Sequence, residues 1–274
     1  MTSLSEGAEP LHQPAKPERL YEVVAREIVQ MISVNRGSSD WRLPSERELS
    51  EKLKVSRPVI REAVIALEVR GIVEVRQRQG IVVLAIPSTR LHAERIGDIG
   101  PGPFELLEAR LAIESSAAAL AADRITAEDL SRLESYIGDM QQENDVVLLN
   151  ERGDRNFHML IARATQNVAI VSMIESLWSQ RDSSLMWKKL HEHIHAPSVR
   201  PLWIGDHHAI LSALRLHNSE AAYKAMARHI RNVTNELLEA HGRGSITLDG
   251  AAVAGSGNGV LDKSGIPSLR ESWA

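Results

Sequence analysis

Apolar residues recur at helical spacing along most of the chain. From Arg19 to about Val34, Leu20, Val23, Val24, Ile28 and Met31 or Ile32 fall on one face, and Asn35–Asp40 with Gly37 ends that helix. Leu43-Pro44-Ser45-Glu46 reads as a second start, with Ser45 as cap and Glu48 as its capping-box partner in a helix reaching about Leu53. After the turn Lys54-Val55-Ser56, Ser56 caps again, Pro58 sits in the first turn, and Val59, Ala63, Ala66 and Leu67 carry a third helix to Gly71. The pattern then changes: Ile72–Val75 and Gly80–Leu84 are β-branched runs around Arg76-Gln77-Arg78-Gln79-Gly80, which predicts a hairpin with a basic tip. Pro87, Gly97, Gly100, Pro101, Gly102 and Pro103 mark a linker. Six helical segments follow, at 104–123, 126–143, 145–165, 168–190, 198–217 and 219–240.

The fold class expected is mainly α: an N-terminal winged helix-turn-helix with a small β-hairpin, and a C-terminal all-α antiparallel helical bundle. The boundaries predicted are a disordered N-terminus at 1–16, a winged helix-turn-helix domain at 17–86, a linker at 87–103, a helical effector-binding domain at 104–241 and a flexible tail at 242–274. A length of 274 residues suits two such domains. Cysteine is absent and histidine occurs 11 times, which excludes disulfides, thiolate catalysis and every cysteine-based zinc site. The first sixteen residues lack the cationic start and apolar run of a leader, and nowhere do about 18 apolar residues stand together. A soluble, cytoplasmic protein with no membrane partner is expected.

The net charge of −4 argues against a protein that coats nucleic acid by bulk charge, yet it is unevenly spread. Residues 17–80 hold 12 Lys+Arg and 10 Asp+Glu, so this segment is +2 and the remainder is −6. In a winged helix-turn-helix the second helix of the motif enters the major groove and the hairpin follows the backbone or minor groove. Arg57 and Arg61, four apart at the start of that helix, share a face, and Arg47 on the preceding helix is placed to reach a flanking phosphate. Any one of these arginines could equally be a solvated residue with a Glu partner one turn away.

The second half carries a different chemistry. Asp154 and His158 stand one turn apart on one helix face. His207 shares its face with Ile210, Leu211 and Leu214, and His229 with Ala222, Met226 and Val233, so both imidazoles point inward and need partners. One carboxylate and three imidazoles on three helices make a first shell for zinc, nickel or another first-row divalent ion, although hydrogen-bonded core histidines would give the same pattern. Arg110 lies on the stripe of Leu106, Ile113 and Ala117, where an unpaired guanidinium is costly. It can pair with Glu114 one turn on, or grip a ligand carboxylate beside the ion.

Residues 43–83, LPSERELSEKLKVSRPVIREAVIALEVRGIVEVRQRQGIVV, resemble the DNA-reading domain of the GntR family of bacterial transcription regulators. The resemblance implies that Arg47, Arg57 and Arg61 contact DNA, with Ser56 near the backbone and Gly80 at the wing. Residues 104–240 resemble the effector-binding FCD domain of the FadR-type branch, carried by ELLEARLAIESSAAALAA (105–122), DRNFH (154–158), ATQN (164–167) and DHHAILSALRLHNSEAAYKAMARHI (206–230). The likeness implies that Asp154, His158, His207 and His229 are metal ligands and that Arg110 binds a carboxylate. RLYEVVA (19–25), GPFELLEAR (102–110) and WKKLHEHI (187–194) look like the hexuronate-utilisation repressors of the ExuR and UxuR type. In the last segment Trp187 could stack on a sugar, Lys188 meet a carboxylate and His193 a hydroxyl; HEHIH (191–195) could also be a solvated loop.

The sequence therefore predicts a homodimeric regulator, a repressor on double-stranded operator DNA, that senses a hexuronate or related sugar acid and is not an enzyme. A sensor for another hydroxy acid or aldonate is the nearest alternative, and a metal-responsive sensor is a further one. A metal hydrolase has the ligands but no HExxH segment and no evident general base.

Overall fold

A computed structural model of the chain describes residues 18–35, 42–76, 79–84, 99–145, 151–192 and 196–243. The expected segment at 1–16, most of the linker and tail, the wing-tip residues Gln77 and Arg78, and His193 lie outside these residues. The described part holds ten helices and one two-stranded sheet.

The first unit is α1 (Leu20–Asn35), α2 (Glu46–Leu53), α3 (Arg57–Val69) and the antiparallel strands β1 (Val73–Arg76) and β2 (Gly80–Val83), paired from Val73↔Val83 to Arg76↔Gly80. The capping box forms as its chemistry requires: Glu48 donates its N–H to Ser45 Oγ, and Ser45 N–H reaches the Glu48 carboxylate at 2.8 Å. Lys54 ends α2 in the left-handed region at φ 56°, and Ser50 Oγ donates to Val55 O at 2.6 Å, pinning the turn. Ile28, Leu49, Ile60, Val64 and Leu67 are buried and join the three helices. Each such side chain contributes about 1.5–3 kcal/mol relative to exposure. The face of α1 differs from the expected one: Leu20 is exposed and Tyr21 is buried, because the Tyr21 hydroxyl donates to Gly100 O at 2.7 Å and turns that edge inward.

The second unit is α4 (Pro103–Ala122), α5 (Ala127–Asp145), α6 (Arg152–Ala164), α7 (Val168–Ser183), α8 (Leu185–Glu192), α9 (Ala196–Arg215) and α10 (Ser219–Arg243). The single segment predicted at 168–190 is two helices. Ser184 is extended, with ψ 123°, and its Oγ accepts the Trp187 N–H at 3.1 Å, so it starts α8 instead of continuing α7. Helices α5 and α6 approach closely at Gly153, where an added Cβ would stand 2.8 Å from Met140 Cγ and 2.9 Å from Met140 N. That approach seats the next residue, Asp154.

The two units meet through α3. Glu62 Oε1 accepts the N–H groups of Phe104 at 2.8 Å and Glu105 at 3.0 Å, so a carboxylate of α3 caps the positive end of α4. A Cβ at Gly102 would lie 2.2 Å from that oxygen, which is why the position is glycine despite its ordinary φ of −67°. The neighbouring Arg61 donates to Leu237 O on α10 at 3.0 Å. α8 packs against the other end of α3. A cavity of about 490 Å³ opens in this joint between Ser56, Val59 and Glu62 on one side and Leu111, Arg231 and Thr234 on the other.

Candidate functional site

Four residues from three helices converge in the second unit. Asp154 and His158 come from α6, His207 from α9 and His229 from α10, and each offers one ligand atom within 4.8 Å of the others. All three histidines are buried, while Asp154 keeps 23 % of its side-chain surface open. His207 Nδ1 donates to Trp203 O at 2.7 Å, one turn back on α9, which turns Nε2 toward Asp154 Oδ1 at 3.0 Å. Both nitrogens of this ring therefore face acceptors, Nε2 on the side of the cluster. His158 Nε2 is 3.4 Å from the same carboxylate oxygen but out of line for a hydrogen bond, and His229 Nδ1, 3.8 Å from Asp206, also has no hydrogen-bond partner among the described residues. Orphaned ring nitrogens are costly in a core, and a borderline divalent ion is the group that one carboxylate and three imidazoles suit. The residues present fit the metal that the sequence suggested.

A second layer holds this set in place. Glu114 of α4 lies with Oε2 2.5 Å from His158 Nδ1 and accepts from Arg110 Nε at 2.7 Å and Trp178 Nε1 at 3.2 Å. A carboxylate behind a ligating histidine fixes the ring and raises its basicity. The Arg110 guanidinium packs 4.1 Å above the Trp178 ring, and Arg181 lies 4.5 Å from that ring and 4.8 Å from Trp187. Burial opposes charge on Glu114, but Arg110 and His158 outweigh it and hold its carboxyl down at about 2. Burial likewise opposes charge on His158, yet the Glu114 and Asp154 carboxylates raise its pKa. His229 is lowered to about 3 by burial and the neighbouring His207. The cluster is thus a place where one fixed negative pair, Glu114 and Asp154, gathers positive charge.

The predicted residues do not all fall where the sequence suggested. Arg110 is 4 % exposed and its Nε and Nη2 are committed to Glu114, the pairing the sequence allowed. Trp187 is not a free stacking face: it is 7 % exposed, with Arg181 over its ring, because α8 is wedged between α3 and the bundle. Lys188 is exposed on α8. Sequence reasoning missed Glu114 as the anchor of His158, and it missed Trp178, Arg181 and Trp203. Glu114 carried a signal, an acid one turn from an inward arginine; the other three carried none.

At the face expected to read DNA, Arg47, Ser56 and Arg57 are exposed; Ser56 stands at the start of α3 as expected but makes no side-chain cap bond, so its hydroxyl is not spent on the helix. Gly80 holds φ +75° at the start of β2, a conformation costly for other residues. Arg61 does not share the exposed face expected of it. It is 1 % exposed, its Nε and Nη2 grip the Glu46 carboxylate at 2.6–3.0 Å, and its Nη1 is given to Leu237 O. A bidentate partner on α2 and a carbonyl of the second unit together draw the side chain inward.

A head of three helices and a hairpin on a bundle with a buried histidine-carboxylate cluster is the build of a two-domain regulator. Residues 20–83 match the bacterial regulatory proteins of the gntR family and residues 105–232 match the FCD domain. The Uxu operon regulator of Haemophilus influenzae is 39 % identical over 81 % of this chain and 83 % of its own length. The Exu regulon transcriptional regulator of Escherichia coli K12 is 39 % identical over 79 % of this chain and 84 % of its own. A solved Streptococcus agalactiae GntR structure shares 29 % identity, covering 78 % of this chain and 99 % of that one, at a TM-score of 0.43. The chain belongs to the GntR family of transcription regulators with an FCD domain. Among the described residues no helix is long and apolar enough to cross a membrane.

Proposed function

We propose that this regulator binds an inverted-repeat operator as a homodimer, represses from it, and is released by a hexuronate or closely related sugar acid bound at a divalent metal site. The observation that carries the reading is the four-residue cluster, a buried nitrogen and oxygen set with one open side at Asp154. Asp154, His158, His207 and His229 would hold the ion, which supplies Lewis-acid binding for a carboxylate and its adjacent hydroxyl. Glu114 fixes His158, and Arg110, with Nε and Nη2 held by Glu114, would offer the acid its Nη1. The names of the Uxu and Exu relatives, with the likeness to hexuronate-utilisation repressors, favour a uronate over lactate.

Release needs the acid to favour an arrangement that DNA disfavours. The joint offers the means, since α3 is held by α4 through Glu62 and by α10 through Arg61, and these two helices also carry Arg110 and His229. Arg61 can meet DNA only where its bond to Leu237 O is broken. A coupling of about 1–3 kcal/mol would change operator affinity about 5–150-fold. A thermal-shift panel of uronates, their keto isomers, aldonates and lactate, with and without chelator, tests the ligand class. Stabilisation by a sugar acid that chelator abolishes is the expected result; stabilisation by none, or by lactate alone, contradicts it.

A further inference from the structure

Beside the cluster lies a small cavity of about 40 Å³, lined by Met140, Glu143, Glu151, Trp203 and Ile204 and reaching Asp154 and His207. One feature of its wall is unexplained by packing or by metal binding. Among the described residues, Trp203 Nε1 is a buried donor with no hydrogen-bond partner. Buried indole N–H groups ordinarily find an acceptor, and an orphaned one costs about 1–3 kcal/mol. Its backbone carbonyl takes the His207 Nδ1 proton at 2.7 Å, which ties the position of Trp203 on α9 to a candidate ligand ring.

We infer that Trp203, with Glu143 and Glu151, recognises the hydroxylated portion of a polyhydroxy acid whose carboxylate end sits at the metal cluster; this rests on the reading given above. The chemistry is that of sugar binding: an aromatic ring and a donor N–H beside two carboxylates. Glu143 already accepts the Gly153 N–H at 3.2 Å, and Glu151 is paired with Arg181. A carboxylate has about four acceptor positions, so each can also take a hydroxyl proton. Trp203 N–H, which shows less than 1 Å² of surface in the ligand-free protein, turns into the cavity and gives its proton to a hydroxyl or ring oxygen of the acid. On this measure a water needs about 10–15 Å³, so the cavity takes a group of a few atoms next to the chelating head, and not a whole hexose. Lactate has only a methyl group to place there and offers the indole no acceptor. The cavity thus separates polyhydroxy acids from short hydroxy acids by what lies one or two carbons beyond the shared head.

The test is calorimetric binding of galacturonate, glucuronate and lactate to the zinc-loaded full-length protein and to Trp203→Phe, which keeps an aromatic ring and removes the N–H. The expected result is that the uronate bound by the wild type is weakened about two- to tenfold by Trp203→Phe, while zinc affinity and any lactate affinity stay as they were. Unchanged uronate affinity overturns the proposal, and so does an equal loss for lactate. If Trp203→Phe lowers the melting temperature of the ligand-free protein, Glu143→Gln on α5 carries the test with the same expected selectivity. Binding of no uronate by the wild type refutes the underlying functional reading, and this proposal with it; binding by the wild type with no selective loss in either variant refutes the role of the cavity alone.

Discussion

Glu62 gives the most quantitative handle on how the two units are joined. Its carboxylate is 5 % exposed and accepts two N–H groups at the start of α4. Burial outweighs those bonds, and Glu105 and Glu108 add like charge, so its pKa is pushed up from 4.5 to about 7. The folded protein therefore binds more protons than the unfolded chain between these values. For a raised acid, the associated stability is fully present below pH 4.5 and is lost as the pH rises through 7. At about 1.36 kcal/mol per tenfold change, the interval corresponds to about 3 kcal/mol. Glu62→Gln removes the titration but keeps an oxygen that can accept both N–H groups. Urea unfolding of the two proteins at pH 5 and pH 8 reads the effect directly. The variant should gain on the wild type by about 2–3 kcal/mol between the two conditions, while shared groups cancel in the difference. A difference between the proteins that is the same at both pH values would show that Glu62 is not held as an uncompensated buried acid.

Three other perturbations separate the parts of the account. Gly153→Ala places a Cβ 2.9 Å from a backbone nitrogen of α5, so it should cost about 1–3 kcal/mol and reduce the thermal stabilisation given by zinc; equal melting curves with and without zinc in both proteins contradict this. Arg57→Ala should weaken operator binding and lower the salt slope by about 1 with little change in stability, whereas Arg61→Ala should cost about 3 kcal/mol in urea unfolding because it removes a buried bidentate ion pair and the bond to Leu237 O. Equal stability of those two variants contradicts the burial of Arg61. Zinc or nickel at 100 times its Kd should raise the unfolding free energy by about 2.7 kcal/mol, and His158→Ala should abolish the gain; a full response in that variant removes His158 from the site.

Much of the local structure was legible because it is fixed by neighbours in sequence. Ser45 with Glu48, and Asp154 with His158, act across one helical turn, and inward histidines can be recognised from the apolar residues beside them. What spacing cannot give is the identity of a partner far along the chain. Arg57 and Arg61 share a helix face by arithmetic, but Leu237 lies 176 residues from Arg61 and no periodic pattern reports that bond. Trp187 read as a polar-segment aromatic free to stack, and only Arg181 and the break at Ser184 show that it is buried. Nothing in the spacing around Glu62 marks it as the cap of a helix that starts some forty residues later; only the N-terminus of α4 ending on it does. The net charge of −4 is a similar lesson, since the basic residues that matter are set by placement and not by their sum.

The central claim is that an acid bound at the histidine cluster releases this protein from DNA. An operator duplex selected from random sequence by the purified protein, labelled and followed by anisotropy at fixed salt, puts that claim to the test as a uronate is added. Release by the uronate is expected in the presence of zinc or nickel, with none after chelation and none for Arg110→Ala, which should still bind the operator. Release that persists unchanged in chelator, or in Arg110→Ala, would contradict it.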